Sequence, residues 1–141
     1  MIRSLTRRSA ILFAFASAAS CGNDAATNLR ASATGTFQLV SVNGVPLPFV
    51  ESSDATQEVR ITAAQLQNRS DGSFTQTTSR STTALPAGAV TTSSDVQNGT
   101  YTVGGDVVAF TFSSGQARLG SLAVGGGITI LYSGDTYLYK K

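Results

Sequence analysis

The last third of the chain repeats one pattern, a short β-rich segment followed by a tight turn, and this pattern limits the possible folds most. Glycine-containing turns separate the segments, and no helix-length stretch lies between them. Strands joined by tight turns pair antiparallel, so the pattern predicts a meander in which alternate residues face a buried side. The predicted segments are Thr100–Val103, Val107–Phe112, Ala117–Val124, Ile128–Tyr132 and Thr136–Lys140.

Further strands are predicted before residue 100, but their sequence patterns are less regular. Two prolines, Pro46 and Pro48, exclude Val45–Phe49 from a central strand and predict an edge strand or a loop there. The Ser/Thr-rich stretch Ser81–Gln97 is expected to form a long loop or a frayed strand pair. Three further strands are predicted. Phe37–Val42 runs into an Asn-Gly turn, Ser73–Arg80 follows an Asp-Gly turn, and Glu58–Thr62 alternates between apolar and polar residues.

These segments together predict an all-β fold. About seven to nine antiparallel strands must bury one face, and an up-and-down barrel or half-barrel does so while leaving few free edges. A sandwich of two sheets satisfies the same pattern and remains an alternative. We expect this β domain to span residues 35–141.

The first twenty residues resemble the signal peptide of a bacterial lipoprotein. Arg3, Arg7 and Arg8 precede an apolar run over residues 10–19, which is too short to span a bilayer. Small residues then lead into Cys21, as in the lipobox, where the cysteine thiol receives a lipid before cleavage. Ala18 stands where that pattern usually has leucine, and an ordinary secretory signal is the alternative. The resemblance implies that residues 1–20 are the signal peptide and that Cys21 becomes the lipidated N-terminus.

Residues 21–34 carry small and polar side chains without a hydrophobic period, and we expect a lipidated flexible tether. A short helix around Asn28–Ala33 is the alternative. The arginine pair Arg7–Arg8 also resembles a twin-arginine export signal, so export by the Sec or the Tat route stays open.

The stretch Gly35–Pro48 resembles the opening of small lipocalin-like bacterial lipoproteins, in which a first strand reaches a Val-Asn-Gly corner followed by Pro-Leu-Pro. Shorter pieces, Asp71–Phe74, Gly99–Val103 and Tyr137–Tyr139, fit the same pattern. Lipocalins usually carry a tryptophan near the first strand, and Phe37 stands roughly there. The resemblance implies a small antiparallel barrel in an envelope lipoprotein of largely uncharacterised function, and it brings no catalytic or binding residue with it.

The composition argues against most enzyme chemistry. The chain has no histidine and one cysteine, which leaves no histidine base, no disulfide and no multi-cysteine metal site. After cleavage before Cys21 the net charge is about −1 by residue count, and no basic patch of the kind that binds nucleic acid remains. We therefore expect no enzyme, no cofactor, no metal and no nucleic-acid partner.

Three groups of side chains have more than one possible role or a predicted place in the fold. Five aspartates are expected in turns as local hydrogen-bond acceptors, and convergence of some of them at a calcium site is the alternative. Lys140 and Lys141 are expected to form a solvated tail. Eight aromatic residues could line a ligand cavity or fill the core. The aspartates are Asp54, Asp71, Asp95, Asp106 and Asp135, and the aromatic residues are Phe37, Phe74, Tyr101, Phe110, Phe112, Tyr132, Tyr137 and Tyr139.

The sequence therefore predicts a lipid-anchored module of the bacterial cell envelope, on the outer membrane or the periplasmic face. Its partners are expected to be the membrane, through the lipid on Cys21, and an apolar small molecule or an envelope protein bound by the β domain. A structural envelope protein with a solid core is the second hypothesis, and an unrecognised hydrolase is the third.

Overall fold

The computed structural model describes residues 31–123 and 125–141. This part of the chain is nearly all β, with ten strands in one antiparallel sheet. The predicted signal peptide, Cys21 and most of the predicted tether lie outside the described residues. The strands are β1 (Gly35–Val42), β2 (Val45–Pro46), β3 (Phe49–Ser53), β4 (Gln57–Asn68), β5 (Ser73–Ala84), β6 (Val90–Gly104), β7 (Val107–Phe112), β8 (Ala117–Ala123), β9 (Gly127–Tyr132) and β10 (Asp135–Lys140).

The sheet closes into a barrel because β1 pairs with β10 on one side and with β4 on the other. Each of the strands from β4 to β10 pairs with its neighbour in sequence, so eight strands form the wall. The short strands β2 and β3 add to β1 and β4 respectively and lie outside this closed circuit. The predicted up-and-down antiparallel barrel is confirmed, and the sandwich alternative is wrong.

The inward rows of side chains follow the alternation read from the sequence. Val108, Phe110 and Phe112 are at most 5% exposed, and Ile128 and Ile130 are buried on β9. Apolar residues at every second position place one continuous apolar face inside a closed sheet.

Two tight turns fix the ends of neighbouring hairpins. Asn43 and Ser133 adopt the left-handed backbone conformation, with φ of 52° and 55°, and a glycine follows each of them. The Asn43 carboxamide then bridges the two turns: its Nδ2 donates to Asp135 Oδ1 at 2.7 Å, and its Oδ1 accepts from the Thr136 amide at 2.8 Å. The predicted Asn-Gly turn is therefore confirmed and also carries a tertiary contact.

The two ends of the barrel differ. At one end, here called the closed end, buried side chains including Phe37, Leu66 and Phe74 fill the interior. β1 starts at this end and β10 finishes there, and the Lys141 ammonium lies 5.2 Å from the centroid of the Phe37 ring. The C-terminal lysine is thus exposed as expected but also contacts the first strand. The opposite end, with the β9–β10 turn, is here called the open end.

Of the two alternatives predicted for Ser81–Gln97, a long loop or a frayed strand pair, the structure has the strand pair, and its pairing is regular rather than frayed. β5 continues to Ala84 and β6 begins at Val90, with unbroken pairing from Thr83 opposite Val90 down to Ser73 opposite Thr100. Serine and threonine suit an exposed pleated surface, so a polar composition does not prevent two strands from extending beyond the barrel wall. Only the connection of residues 85–89 is a loop.

The residues just before β1 are packed against the barrel. Ala31–Ala33 form a helical turn, and Ala33 is fully buried with its carbonyl oxygen accepting from Asn68 Nδ2 at 2.8 Å. This helical turn agrees with the short helix predicted as the alternative around Asn28–Ala33, for the part of that range that the structure describes. No helix within residues 31–123 or 125–141 is long and apolar enough to cross a membrane.

Candidate functional site

A cavity of about 280 Å³ occupies the open end of the barrel. Its floor is apolar, formed by Leu39, Ile61, Ala64 and Ile130, and these residues sit on top of the aromatic core of the closed end. The cavity exists because β1 and β4 pair only over residues 35–38 and 65–68. Towards the open end β1 pairs with β2 and β4 with β3, so the two strands separate and the wall splays.

Arg118 projects from β8 into the cavity and is held on several sides. The carbon at the centre of its guanidinium lies 4.2 Å from the centroid of the Phe112 ring and 3.8 Å from that of Tyr132. Its Nη1 donates to Gln76 Oε1 at 3.2 Å. Its Nε is buried and has no acceptor among the described residues. A planar cation between aromatic faces is well oriented, but a buried N–H without an acceptor costs stability.

Gln76 links Arg118 to a buried phenol. Its Oε1 accepts from the arginine and its Nε2 donates to the Tyr139 hydroxyl oxygen at 2.9 Å. Burial raises the pKa of Tyr139 to about 12, and the Gln76 hydrogen bond and the charge of Arg118 oppose this shift. Burial also raises the pKa of the neighbouring Tyr137, with a smaller contribution from Asp135. Both phenols are therefore neutral hydrogen-bond donors at ordinary pH.

An ion pair stands at the mouth of the cavity. Arg80 on β5 donates from Nε and Nη2 to the two carboxylate oxygens of Glu51 on β3, at 2.6 and 3.0 Å. This bidentate contact raises the pKa of Arg80, and Asp95 adds a smaller electrostatic contribution of the same sign. The pair ties β3 to the barrel wall across β4.

The eight aromatic residues chosen from the sequence divide between the two halves of the barrel. Phe37, Phe74, Tyr101 and Phe110 belong to the buried core, Tyr132 and Tyr137 line the cavity, and Tyr139 does both. Phe112 joins the two groups, since it contacts Phe74 within the core and Arg118 at the cavity. Both sequence hypotheses for these residues, core and cavity lining, are therefore correct for part of the set.

The aspartates are mostly turn residues, as expected. Hydrogen bonds from Thr56 and from Ser73 hold the pKa of Asp54 and of Asp71, respectively, below the usual range. Asp95 and Asp135 lie within strands: Asp95 is part of β6 and lines the cavity, and Asp135 is the first residue of β10.

The calcium alternative is not supported by the topology. The turns that carry Asp71 and Asp106 are at the closed end, whereas Asp95 and Asp135 lie towards the open end. Within residues 31–123 and 125–141, no group of three or more histidine, cysteine, aspartate or glutamate side chains could hold a metal ion.

The polar residues of the cavity were missed at the sequence level, although a signal was present. Gln76, Thr78 and Arg80 occupy alternate positions of β5 that also carry Phe74, and Arg118 alternates with exposed residues on β8. A polar or charged residue on the inward row of a barrel strand indicates a wet interior. Cys21, the one site residue predicted from the sequence, lies outside the described residues.

Comparisons of the chain with protein-family models, with curated proteins and with solved structures find no match. The similarity to lipocalin-like lipoproteins thus stays a prediction from short sequence motifs.

Proposed function

We propose that the β domain is a non-enzymatic binding module that holds a small molecule in the cavity at the open end of the barrel. The observation that carries this proposal is the cavity itself, which has an apolar floor and convergent polar side chains above it. Small-molecule sites commonly combine these two features, so that apolar walls bury the ligand and a few polar groups orient it.

The division of the core supports binding over a purely structural role. A structural protein with a solid interior would be filled at both ends, whereas here the closed end is packed with buried side chains and the open end retains the cavity. The volume of about 280 Å³ is near the lower limit of small-molecule pockets. We therefore expect a ligand of a few carbon atoms or a single ring rather than a long lipid chain.

The polar side chains of the cavity wall favour an amphipathic ligand over a purely apolar one. Gln76, Thr78, Arg80 and Arg118 all contribute polar atoms to the lining. A purely apolar molecule would remove water from these groups without replacing its hydrogen bonds, which is unfavourable. The ligand we propose is amphipathic, with an apolar body and at least one polar group.

In our proposal this module is carried by a lipoprotein of the bacterial cell envelope, anchored through Cys21. The support is the order of features in the first twenty-one residues: basic residues, a short apolar run, small residues and the cysteine. A lone thiol near the N-terminus of an exported protein is reactive unless it is modified, and lipid attachment removes that reactivity.

Two adjacent alanines on β4 allow a matched test of the binding site. Ala64 is buried and lines the cavity, whereas Ala63 is exposed on the outer face. A library of small fragments is screened against the purified chain by the NMR amide shifts of cavity residues such as Leu39 and Tyr137. We expect bound fragments to lose at least about tenfold in affinity for Ala64→Phe, because the new ring fills the cavity, and to bind Ala63→Phe like the wild type.

Circular dichroism checks that both variants are folded. The proposal is wrong if no fragment shifts the cavity amides of the wild type, or if the fragments that bind do so equally well to the two phenylalanine variants.

A further inference from the structure

We infer that the ligand of the cavity is a small organic monocarboxylate whose carboxylate binds Arg118 and the Tyr139 hydroxyl. This inference rests on the proposed binding function and specifies the chemical class of the molecule bound.

Of the two arginines that line the cavity, one lacks a carboxylate partner among the described residues. Arg80 is paired with Glu51 through two hydrogen bonds. Arg118, by contrast, has no carboxylate within 4.0 Å of its guanidinium nitrogens among the described residues. An arginine in the wall of a partly desolvated cavity is stabilised by an anion, and a planar carboxylate matches the guanidinium geometry best.

The free edge of the guanidinium has the orientation that a carboxylate needs. Nη1 is occupied by Gln76, and this contact leaves the edge formed by Nε and Nη2, whose two N–H bonds are parallel. Nε is buried without an acceptor. Because solvent does not reach this atom, a carboxylate oxygen reaches it only when the side chains around it shift. The binding of an acceptor there satisfies a donor that is otherwise buried at a cost.

A second donor is available at Tyr139. Its hydroxyl oxygen accepts from Gln76 Nε2, so its own proton is available for an acceptor in the cavity. The positive charge of Arg118 polarises Gln76, which in turn polarises the phenol, and such a chain strengthens the last donor. Gln76 therefore acts as a positioning residue that fixes both groups.

The rest of the lining restricts the molecule attached to the carboxylate. The floor offers apolar contact with Leu39, Ile61 and Ile130. At the mouth, Asp95 adds a negative charge close to the neutralised pair of Glu51 and Arg80. A second carboxylate at that position would be repelled, so a monocarboxylate with a short hydrocarbon or single-ring body fits better than a dicarboxylate.

The test compares one carboxylate with its uncharged counterpart on the same protein. Hexanoate and hexanamide, which share the hydrocarbon body and the carbonyl group, are titrated into the purified chain and followed by the NMR amide shifts of cavity residues. Benzoate and benzamide provide the same comparison with a ring. We expect each carboxylate to bind at least about tenfold more tightly than its amide, because a hydrogen bond to a charged group is worth more than a neutral one.

Variants then assign the charge to Arg118. Arg118→Gln should remove the preference for the carboxylate, and Arg118→Lys should keep part of it, since a lysine retains the charge but not the bidentate edge. The control is Arg60→Gln, which removes the same charge from an arginine that pairs with Glu58 and does not line the cavity. It should leave the preference unchanged.

The outcomes separate this inference from the proposed function. Equal binding of carboxylate and amide, or a carboxylate preference that survives in Arg118→Gln, overturns the inference while small-molecule binding stands. If the cavity amides respond to neutral fragments alone, the inference also fails. If they respond to no fragment of any kind, the proposed function fails together with it.

Discussion

Gly99 is the position where the replacement of one hydrogen by a methyl group should damage the barrel most. Gly99 lies on β6 directly between Phe74 of β5 and Phe112 of β7 in the strand register. The two rings meet edge to face over this glycine, with centroids 4.9 Å apart and planes at 83°. The absence of a side chain at Gly99 is what lets them approach, which is a recognised use of glycine inside a strand.

The geometry gives the size of the effect of Gly99→Ala. The added Cβ would lie 2.7 Å from Cε1 of Phe74 and 2.9 Å from Cα of Phe112, and it would also overlap the carbonyl oxygen of Thr111. Two of these three neighbours are backbone atoms, so the clash cannot be relieved by a side-chain rotation alone. Overpacking of this kind costs about 1–3 kcal/mol, and the backbone contacts place Gly99→Ala at the upper end. For a domain of about 100 residues, ~3 kcal/mol corresponds to a fall in Tm of at least about 12 °C.

Gly104, on the same strand, provides the matched control. A Cβ there would have no neighbour within 4 Å, and its backbone is not in the left-handed region. Gly104→Ala should leave the stability unchanged or raise it by up to about 1 kcal/mol, since alanine reduces the freedom of the unfolded chain. Urea denaturation followed by far-ultraviolet circular dichroism measures both variants. Similar midpoints for the two would refute the close-approach argument at Gly99.

Two further predictions concern Tyr139 and Cys21. The pKa of Tyr139 is raised from 10.0 to about 12 by burial of the neutral phenol. The corresponding contribution to the free energy of unfolding is complete below pH 10 and is lost as the pH rises towards 12. Urea denaturation across this range should show the wild type losing on the order of 2 kcal/mol more than Tyr139→Phe; parallel pH profiles would contradict the burial of this phenol. Cys21→Ala should lose incorporation of a labelled fatty-acid analogue in bacterial cells, and labelling equal to that of the wild type would refute lipid attachment at this residue.

The sequence predicted the strands best where the alternation of apolar side chains and the residues of the flanking turns indicated the same strand boundaries. Val108, Phe110 and Phe112 alternate with outward residues, and their burial was predictable from that period alone. The Asn43–Gly44 turn was predictable from the preference of its residues for the left-handed conformation. Closure was harder to foresee, because the pairing of Gly35–Gln38 with Gln65–Asn68 joins distant segments and depends on the curvature of the whole sheet.

The full length of β5 and β6 and the polar side chains of the cavity were not predicted, for related reasons. The polar composition of Ser81–Gln97 leaves a long loop and a frayed strand pair as alternatives, because pairing with a neighbour decides whether a polar segment is a strand. The roles of Gln76 and Arg118 depend on contacts between β5, β8 and β10, which no local pattern encodes. Their inward position was readable from alternation, whereas the cavity around them follows from the separation of β1 and β4.

The arrangement of strands also separates both described ends of the chain from the cavity. Residue 31, where the described chain begins, and Lys141, where it ends, both lie at the closed end, and the cavity opens at the opposite pole. If Cys21 carries a lipid, the chain that follows it enters the domain at this sealed base, at the pole away from the mouth. For the proposed ligand, entry and exit through the mouth would then require neither described end of the chain to move.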